Sequence, residues 1–542
     1  MSLTDMDVNQ QVRAILKIRK MIHDNGMNIF EYANSVMSGE LPVLGHEEFK
    51  DQFGGSAEDM SAVQDWAVSK GLTIENAYRS SATVIVNGTA GIINSLFNIT
   101  MKQGEDEIGV YQTYSGNLTI PQELEGIVEF VIGLDESQRI QSHYIQLDNQ
   151  SVYPNTVQAV TPPNVANMYN WPYHNGDGQC VAIAEFGGGY TTQNLTSTFG
   201  AIGLSNPTVV DVSVLGGTNS PDDGSGASVE VMLDIYLVGG IVPKAKIAMY
   251  FCPNSMTYFP TVIDAVANDY QNSPNTLSIS WGAGEDGFEI TGARGPFESS
   301  AAAALVKGLN IFASSGDYGA SIYSSGSPID VNYPAVSTYV ISCGGTQIDT
   351  DGISVINSEV VWNQGGAAGG GGLSVYASLP SYQTGLFYKP TNSTSTALTM
   401  RGHPDISGNA SPYSGYIFYA NYGTGGLQTW YQTGGTSATA PMYAALFARI
   451  YQLTGKKFTN LHSFLYSNTG IFNDVTVGNN KITNNPYGYA ATVGWDMASG
   501  LGSIIGKKLY KLVNTGGTFP KLNKGTRPTK GQCYPRPITG IR

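Results

Sequence analysis

The chain has 542 residues, with 28 lysines and arginines against 42 aspartates and glutamates and a formal net charge of −14. This length predicts two or three domains, and 41% hydrophobic residues with 66 glycines indicate a globular, loop-rich α/β protein and exclude a disordered or fibrous one. The acidic balance and the lack of a basic arm argue against nucleic acid as a partner, and no apolar run approaches the length of a membrane span.

Residues 1–135 predict a separate α/β module. Short strands alternate with two main helices, a pattern that favours a split βαβ, ferredoxin-like unit. We expect strands at 12–18, 82–86 and 111–119, and helices that begin after Ser56, at Ala90 and at Pro121, the last continuing to Leu134. No reactive residues group in this module, so an inhibitory or chaperone-like role fits it better than catalysis.

The character of the sequence changes after this module. Residues 136–160 are polar with little periodicity and are interpreted as a linker that contains the processing site. Residues 161–515 alternate apolar strands with helices, which predicts a parallel sheet covered by helices on both faces. Residues 516–542 are rich in Pro, Lys and Gly and predict an extended tail.

The central region contains the predicted sheet. We expect buried strands at 180–184, 246–251, 276–280 and 309–313, separated by helices at 229–238, 261–268 and 297–307. In parallel sheets of this kind the active site lies at the carboxyl ends of the strands. Glu185, Trp281 and Asp317 fall at those ends.

Ser437 lies in the stretch GGTSATAP (434–441), immediately before an alanine-rich apolar run that predicts a buried helix. Backbone N–H groups and the dipole at a helix N-terminus favour developing negative charge. The position suits a nucleophile, because attack on a carbonyl creates an oxyanion that those donors stabilise. A serine that simply caps a core helix is the alternative.

The best candidate for a base that would activate Ser437 is a carboxylate. None of the six histidines lies at a strand end beside a glycine-rich turn. Glu230 and Asp234 are four residues apart on a predicted helix of otherwise apolar residues, so both lie on one face. Two carboxylates buried together share protons, which suits a general base with an orienting partner. A solvated pair on an exposed face is the alternative.

Several motifs together resemble the sedolisin family of serine-carboxyl peptidases, and the kumamolisin branch most closely. They are the serine stretch, the Glu230/Asp234 pair and the turn SGD that ends at Asp317, for which an ordinary turn-forming aspartate is the alternative. Further matches follow in order along the chain: IAEFGGGY (183–190), KIAMYFCPN (246–254), SISWGAGED (278–286), VWN (361–363) and GWDMASGLGS (494–503). The resemblance implies a subtilisin-like catalytic domain, made as a proenzyme whose ferredoxin-like prosegment is an intramolecular inhibitor, and protein or peptide substrates.

The resemblance also implies roles for single residues. Ser437 would be the nucleophile, Glu230 its general base and Asp234 the partner that orients Glu230. Asp317 would supply the side-chain donor of the oxyanion hole, beside the backbone N–H of Ser437.

Three further residues match positions around that machinery. Glu185 and Trp281 match positions that extend the hydrogen-bond chain behind the acidic pair. Asn332 stands where the kumamolisin branch tends to place an acidic residue near the substrate cleft.

A calcium site near the C-terminus is implied as well. Its carboxylates would come from Asp474 and Asp496, and its backbone carbonyls from Val475, Thr492 and Gly494. Such a set of hard oxygen donors suits one structural Ca²⁺ ion. The four cysteines lack CxxC spacing, so neither a zinc site nor a disulfide framework is indicated.

A glutamate base implies activity in acid. Glutamate titrates at about 4.3 and histidine at about 6.5, so a glutamate remains ionised where a histidine is already charged. Asp317 must be protonated to donate a hydrogen bond to an oxyanion. We therefore expect an acidic optimum, and an extracellular or acidic compartment, although residues 1–20 lack the apolar core of a secretion signal.

Other functions are weighed against the acid endopeptidase. A catalytically silent family member used as a binding or structural protein is the first alternative, and an exopeptidase that releases tripeptides is another. A nucleotide-dependent enzyme fits less well, because neither glycine-rich stretch completes a phosphate-binding motif.

Overall fold

The computed structural model describes residues 3–106, 109–146, 159–320, 330–422, 427–483 and 485–515. The predicted tail at 516–542 lies outside the described residues, as does most of the second half of the predicted linker. The chain divides into two compact units. The first comprises Met1–Ile140, Pro253–Asn268 and Gly287–Lys307, and the second comprises Gln141–Cys252, Asp269–Asp286 and Gly308–Arg542.

The first unit contains a four-stranded antiparallel sheet in the order Thr73–Tyr78, Thr83–Thr89, Gln11–Ile18, Val128–Ile132. The helices Ala57–Ser69 and Ala90–Phe97 connect its strands, which gives the βαββαβ topology of a ferredoxin-like unit and confirms the predicted fold. Ser56 caps the first of these helices by accepting from the backbone N–H of Asp59 at 2.9 Å.

Further elements complete this unit. A second sheet pairs Thr4–Asp5, Ile99–Asp106 and Gly109–Gly116. Additional helices are Ile29–Ser38, His46–Phe53, Phe259–Ala267 and Arg294–Val306, with 3₁₀ turns at Gln122–Leu124 and Met256–Tyr258.

The helix predicted from Pro121 to Leu134 is wrong. The chain forms only the 3₁₀ turn Gln122–Leu124, passes Gly126 at a φ of +74°, and continues as the strand Val128–Ile132. The positive φ interrupts any helix, and a run containing Ile127, Val128 and Val131 suits a strand because β-branched side chains pack well on a pleated surface.

In the part of the chain that the structure describes, the second unit contains an eight-stranded sheet. Its strands run in the order Thr208–Ser213, Lys246–Phe251, Cys180–Glu185, Thr276–Ile279, Asn310–Ser314, Ile341–Thr350, Ile356–Val361, with Ile406–Asn409 also paired to Ile341–Thr350. All pairings are parallel except that of Ile356–Val361. The predicted parallel sheet is therefore present, and every predicted strand of this region belongs to it.

The second unit also contains shorter strands and several helices. Strands outside the main sheet are Gln141–Ser142, Ile145–Gln146, Trp281–Gly284, Asn332–Tyr333, Asn363–Gln364, Ala367–Ala368, Gly372–Ser378, Phe387–Tyr388, Thr396–Ala397, Met400–His403, Tyr416–Tyr422, Leu427–Gly434, Phe472–Asn473 and Ser503–Ile504. Helices are Pro162–Met168, Thr192–Ala201, Ser228–Ile241, Thr439–Thr454, Leu461–Ser467 and Gly506–Thr515; Glu285–Ile290 crosses the boundary between the units, and 3₁₀ turns lie at Ser381–Gln383, Pro412–Ser414, Thr436–Ala438 and Thr469–Ile471.

Two buried helices position the chemistry of the second unit. The acidic helix, Ser228–Ile241, is buried along its whole length, as its all-round apolar sequence requires. Near its end a Cβ at Gly239 would lie 2.7 Å from the Phe199 ring, so only glycine permits this close packing. The nucleophile helix, Thr439–Thr454, is buried from Thr439 through Tyr451.

Among the helices of the described residues, none is both long and apolar enough to cross a membrane.

Candidate active site

Ser437 lies in the 3₁₀ turn Thr436–Ala438, which leads directly into the nucleophile helix. The side chain is completely buried. Gly435 precedes this turn with a φ of +105°, and a Cβ there would lie 2.4 Å from the carbonyl oxygen of His143 and 2.5 Å from Asp317 Oδ2. Only glycine lets these groups approach the serine so closely.

The acidic helix brings Glu230 to the serine. Ser437 Oγ donates a hydrogen bond to Glu230 Oε2 at 2.9 Å. Burial raises the pKa of Glu230 well above its ordinary value, and the charges of Asp234 and Glu185 add to this effect. A glutamate so placed can take the proton of the serine hydroxyl.

Asp234 lies one helical turn after Glu230. Its carboxyl accepts from Ser280 Oγ at 2.9 and 3.0 Å on its two oxygens and makes a side-chain hydrogen bond with Glu230. Burial raises its pKa well above the ordinary value, so it retains a proton that it can share with Glu230. Glu230 Oε1 has no partner among the ordinary donors of the described residues, and such a shared proton would satisfy it.

Glu185 and Trp281 extend this chain of groups. Trp281 Nε1 donates to Glu185 Oε2 at 2.8 Å, and Glu185 is completely buried. Burial, followed by the charge of Asp234, raises the pKa of Glu185 well above its ordinary value. Three buried carboxyl groups that influence one another cannot all be ionised, so they share protons.

Asp317 binds Thr436, the residue that precedes the serine. Its Oδ1 accepts from the backbone N–H of Thr436 at 2.7 Å and from Thr436 Oγ1 at 2.8 Å. Its Oδ2 is buried and has no hydrogen-bond partner within the described part of the chain. Burial raises the pKa of Asp317 to about 7, so below that pH the unpartnered Oδ2 can carry the proton and act as a donor.

A segment of the predicted linker occupies the cleft in front of Ser437. Gln141–Ser142 pairs antiparallel with Trp281 and Gly282, and Ile145–Gln146 pairs antiparallel with Thr433 and Gly434. The N–H of His143 donates to the carbonyl of Ser280 at 3.0 Å. The N–H of Ser437 donates to the carbonyl oxygen of His143 at 2.9 Å, as an oxyanion-hole donor would to a substrate carbonyl.

The structure therefore brings together all six residues that the sequence suggested for the active site: Ser437, Glu230, Asp234, Asp317, Glu185 and Trp281. It adds three that sequence reasoning missed. Ser280 and Thr436 are hydrogen-bond partners of Asp234 and Asp317, and each directly neighbours a residue already identified. His143 gave no signal, because a short extended segment that pairs with distant strands has no periodicity of its own.

The residues suggested for calcium surround one loop of the second unit. Asp474 Oδ2 accepts from the N–H of Gly494 at 2.8 Å, and Asp496 Oδ2 accepts from the N–H of Thr492 at 2.8 Å. Both carboxylates thus border the turn 492–496, and Val475 follows Asp474 directly. Among the described residues no group of three or more His, Cys, Asp or Glu side chains could hold a metal ion, so a cation here would depend on backbone carbonyls.

A parallel sheet with a buried serine at a helix N-terminus, and a carboxylate in place of the usual histidine, define a serine-carboxyl peptidase. Residues 30–137 match the family described as "Pro-kumamolisin, activation domain", and residues 212–489 match the "Subtilase family". The chain belongs to the sedolisin family of serine-carboxyl peptidases and carries an activation domain.

Individual relatives agree with this assignment. Kumamolisin from Bacillus sp. (strain MN-32) is 36% identical over 485 residues, which cover 86% of this chain and 85% of the relative. The structure of Pseudomonas sedolisin, a serine-carboxyl proteinase complexed with two molecules of pseudo-iodotyrostatin, has a TM-score of 0.57 and 27% identity and covers 67% of this chain and 100% of that one. The tripeptidyl-peptidase sed5 of Aspergillus fumigatus is 24% identical over 525 residues, 86% of this chain and 87% of the relative.

Proposed function

We propose that the chain is an acid-acting endopeptidase whose nucleophile is Ser437 and whose general base is Glu230. One observation carries the proposal: the serine hydroxyl donates to Glu230 at 2.9 Å while the serine N–H donates to the carbonyl of a bound chain segment at 2.9 Å. Base, nucleophile and electrophile are thus arranged for acyl transfer.

The chemistry follows from these contacts. Glu230 takes the proton of Ser437 Oγ as Oγ bonds to the carbonyl carbon, and the carbonyl π electrons move to its oxygen. Collapse of this tetrahedral intermediate breaks the C–N bond, and Glu230 returns the proton to the leaving amine. Water then attacks the acyl-serine ester with Glu230 again as base, and the acid product leaves a regenerated serine hydroxyl.

Asp317 is the proposed side-chain donor to the oxyanion. Its Oδ1 accepts two hydrogen bonds from Thr436, so when the Asp317 carboxyl is protonated the proton is on the unpartnered Oδ2. Together with the N–H of Ser437, this hydroxyl supplies two donors where negative charge develops. An ionised Asp317 would repel the same charge.

Asp234, Glu185 and Trp281 act as positioning residues. Asp234 holds Glu230 by a shared proton and is itself held by Ser280. Trp281 fixes Glu185, whose charge raises the pKa of Glu230. The working state has one negative charge on this chain of carboxyls and a protonated Asp317, so activity is lost on the alkaline side as pH rises through about 7.

The linker segment in the cleft supports a proposal for the bond that is processed. The carbonyl in contact with the N–H of Ser437 belongs to His143, so the bond His143–Tyr144 is the proposed cleavage site. The segment also pairs with protein strands on both sides of this bond. A cleft that accommodates chain on both sides suits an endopeptidase, whereas an enzyme that releases tripeptides requires a free amino terminus three residues away.

Acid incubation of the purified 542-residue chain is expected to release a product whose N-terminal residue is Tyr144, as measured by N-terminal sequencing and intact mass. The variant Ser437→Ala, which lacks the nucleophile, should remain intact under the same conditions. Cleavage of both proteins at the same bond would mean a contaminating peptidase and would contradict the assignment.

The two alternatives predict different products. A catalytically silent protein would leave added peptides intact at every pH, with wild type and Ser437→Ala identical. An exopeptidase would release only N-terminal tripeptides from an added protein, which mass spectrometry of the digest distinguishes from internal cleavage.

We further propose that one Ca²⁺ ion stabilises the turn 492–496. Asp474 and Asp496 would supply carboxylates and Val475, Thr492 and Gly494 backbone carbonyls. These residues fit a hard cation, because all five donors are oxygens and both carboxylates already border the same turn. The ion would hold the loop in place and take no part in the peptide chemistry.

Chelation is therefore expected to lower the melting temperature of the protein by about 5 °C or more, because a ligand bound only to the native state stabilises it. Differential scanning calorimetry with and without a chelator, followed by added Ca²⁺, measures this shift. The variant Asp496→Asn should melt at the same temperature with and without the chelator. If the melting temperature of the wild type also stayed the same with chelator, the calcium site would be contradicted.

The proposed chemistry fits an extracellular or acidic compartment. Its partners are protein and peptide substrates and its own activation domain, which would act as an intramolecular inhibitor.

A further inference from the structure

The side chain of His143 is held in a buried pocket, here called the imidazole pocket and formed by Ser314, Asn332 and Gly282. His143 as a whole is only 7% exposed. We propose that the imidazole pocket selects a neutral, hydrogen-bonding side chain, histidine above all, on the residue whose carbonyl is attacked (the acyl-side residue). This inference rests on the proposed peptidase function and names the substrates that it favours.

Ser314 makes the direct polar contact. Its Oγ lies 2.8 Å from His143 Nδ1, and the same hydroxyl reaches the carbonyl of Ile279 at 3.4 Å. When the hydroxyl proton goes to Ile279, Nδ1–H donates to Oγ; when Nδ1 is unprotonated, it accepts the hydroxyl proton. Both neutral tautomers of histidine therefore satisfy the contact.

Asn332 forms the wall of the imidazole pocket. Its Nδ2 donates to the backbone carbonyl of Ser314 at 2.8 Å, which fixes the amide. Its Oδ1 is buried and has no partner among the described residues. A Cβ at Gly282 would lie 2.6 Å from this Oδ1 and 2.8 Å from His143 Cε1, so glycine leaves the space in which the amide and the ring meet.

None of the described residues supplies the imidazole pocket with a counter-charge for a cation. Burial lowers the pKa of His143 to about 3, with no contribution from a neighbouring charge. Two carboxyls flank the adjoining strands: Glu285 directly follows Trp281–Gly284, and Asp330 precedes Asn332–Tyr333. Glu285 accepts from Ser374 Oγ and from the N–H of Val375, and Asp330 faces Gly284 and not Gly282. A lysine or arginine on the acyl side would be desolvated there without a partner, which is costly.

The test uses the processed enzyme and quenched peptides of sequence Gln-Ser-X-Tyr-Ile-Gln, which reproduces residues 141–146 when X is histidine. X is histidine, Nδ1-methylhistidine, Nε2-methylhistidine, glutamine, alanine or arginine. We expect kcat/KM for the Nδ1-methyl peptide to be about tenfold below that of the Nε2-methyl peptide, the loss typical of one buried hydrogen bond. Arginine should be the poorest substrate.

Two variants assign the effect to residues. Ser314→Ala should reduce kcat/KM for the histidine peptide about tenfold and leave the alanine peptide unchanged. Ser315→Ala is the matched control, because it removes the adjacent buried hydroxyl, which makes no hydrogen bond in the described structure. Asn332→Asp should raise the arginine-to-histidine ratio of kcat/KM about tenfold or more by supplying a counter-charge.

The pH dependence gives an independent readout. Free histidine has a pKa of about 6.5, so the histidine-to-glutamine ratio of kcat/KM should rise between about pH 4 and 6. Equal rates for the two methylhistidine peptides, or an unchanged preference in Ser314→Ala, would overturn the inference while leaving the peptidase assignment intact. Failure to cleave any peptide, with Ser437→Ala identical to wild type, would instead overturn the proposed function.

Discussion

Replacing Glu230 by glutamine is expected to reduce kcat by about 10³–10⁴-fold, measured with the peptide Gln-Ser-His-Tyr-Ile-Gln at the pH optimum. Glutamine has almost the shape of glutamate and can still accept the hydrogen bond that Ser437 Oγ donates at 2.9 Å. It cannot take the proton away, so the nucleophile remains a neutral hydroxyl. KM should change little, because Glu230 contacts the serine and not the bound segment.

A second buried glutamate provides the matched control for this substitution. Glu285 also accepts a hydrogen bond from a serine, Ser374 Oγ, at 2.5 Å, and it too is almost completely buried. Glu285→Gln changes the same charge in a similar environment and should retain kcat within a few-fold. If Glu230→Gln kept more than a tenth of the wild-type kcat while Ser437→Ala kept none, the base would have to be another group.

The four adjacent strands in the middle of the sheet could be predicted from the sequence because they are buried on both faces. Continuous apolar runs such as 180–184 and 247–251 have one structural explanation in an α/β protein. The acidic pair was equally clear, since two carboxylates in an apolar helix leave no polar face to share. Once the strand ends were known, Glu185, Trp281 and Asp317 had to lie along one edge of the sheet.

Features that depend on tertiary partners could not be predicted in the same way. The strand Val128–Ile132 follows a proline and acidic residues that resemble a helix start, and it becomes a strand because it pairs with Gln11–Ile18. The linker segment is extended because Trp281–Gly282 and Thr433–Gly434 supply its hydrogen bonds. Sequence periodicity predicts neither the position of His143 nor the unpartnered Oδ2 of Asp317.

Replacing Asp317 by asparagine is expected to abolish the alkaline limit of activity that the carboxyl imposes. In the wild type the donor is lost as pH rises through about 7, the raised pKa of Asp317, so at about pH 9 roughly one molecule in a hundred retains it. Asparagine keeps the acceptor that Thr436 requires at 2.7 and 2.8 Å and places a permanent N–H donor where Oδ2 lay. The variant should therefore exceed the wild type above pH 7, and kcat/KM profiles from pH 3 to 9 measure this.

The same substitution changes the pH dependence of stability. Asp317 binds its proton more tightly in the native state, about 7 against an ordinary 3.8, so its contribution is complete below the ordinary pKa and is lost as pH rises through about 7. This loss is on the order of 4 kcal/mol in the free energy of unfolding and disappears in the asparagine variant. Denaturant unfolding of the Ser437→Ala background at pH 4 and 7, with and without Asp317→Asn, isolates it from the other buried carboxyls.

Asp317→Ala separates the donor role from the charge. Alanine offers no hydrogen bond at any pH, so kcat should fall about 10²–10³-fold across the whole profile, as for the loss of one oxyanion-hole donor. An asparagine variant as inactive as the alanine variant, or one that kept the alkaline limit of the wild type, would show that Asp317 does not donate to the oxyanion. With asparagine active at high pH and alanine inactive throughout, the protonated carboxyl is the group that confines this peptidase to acid.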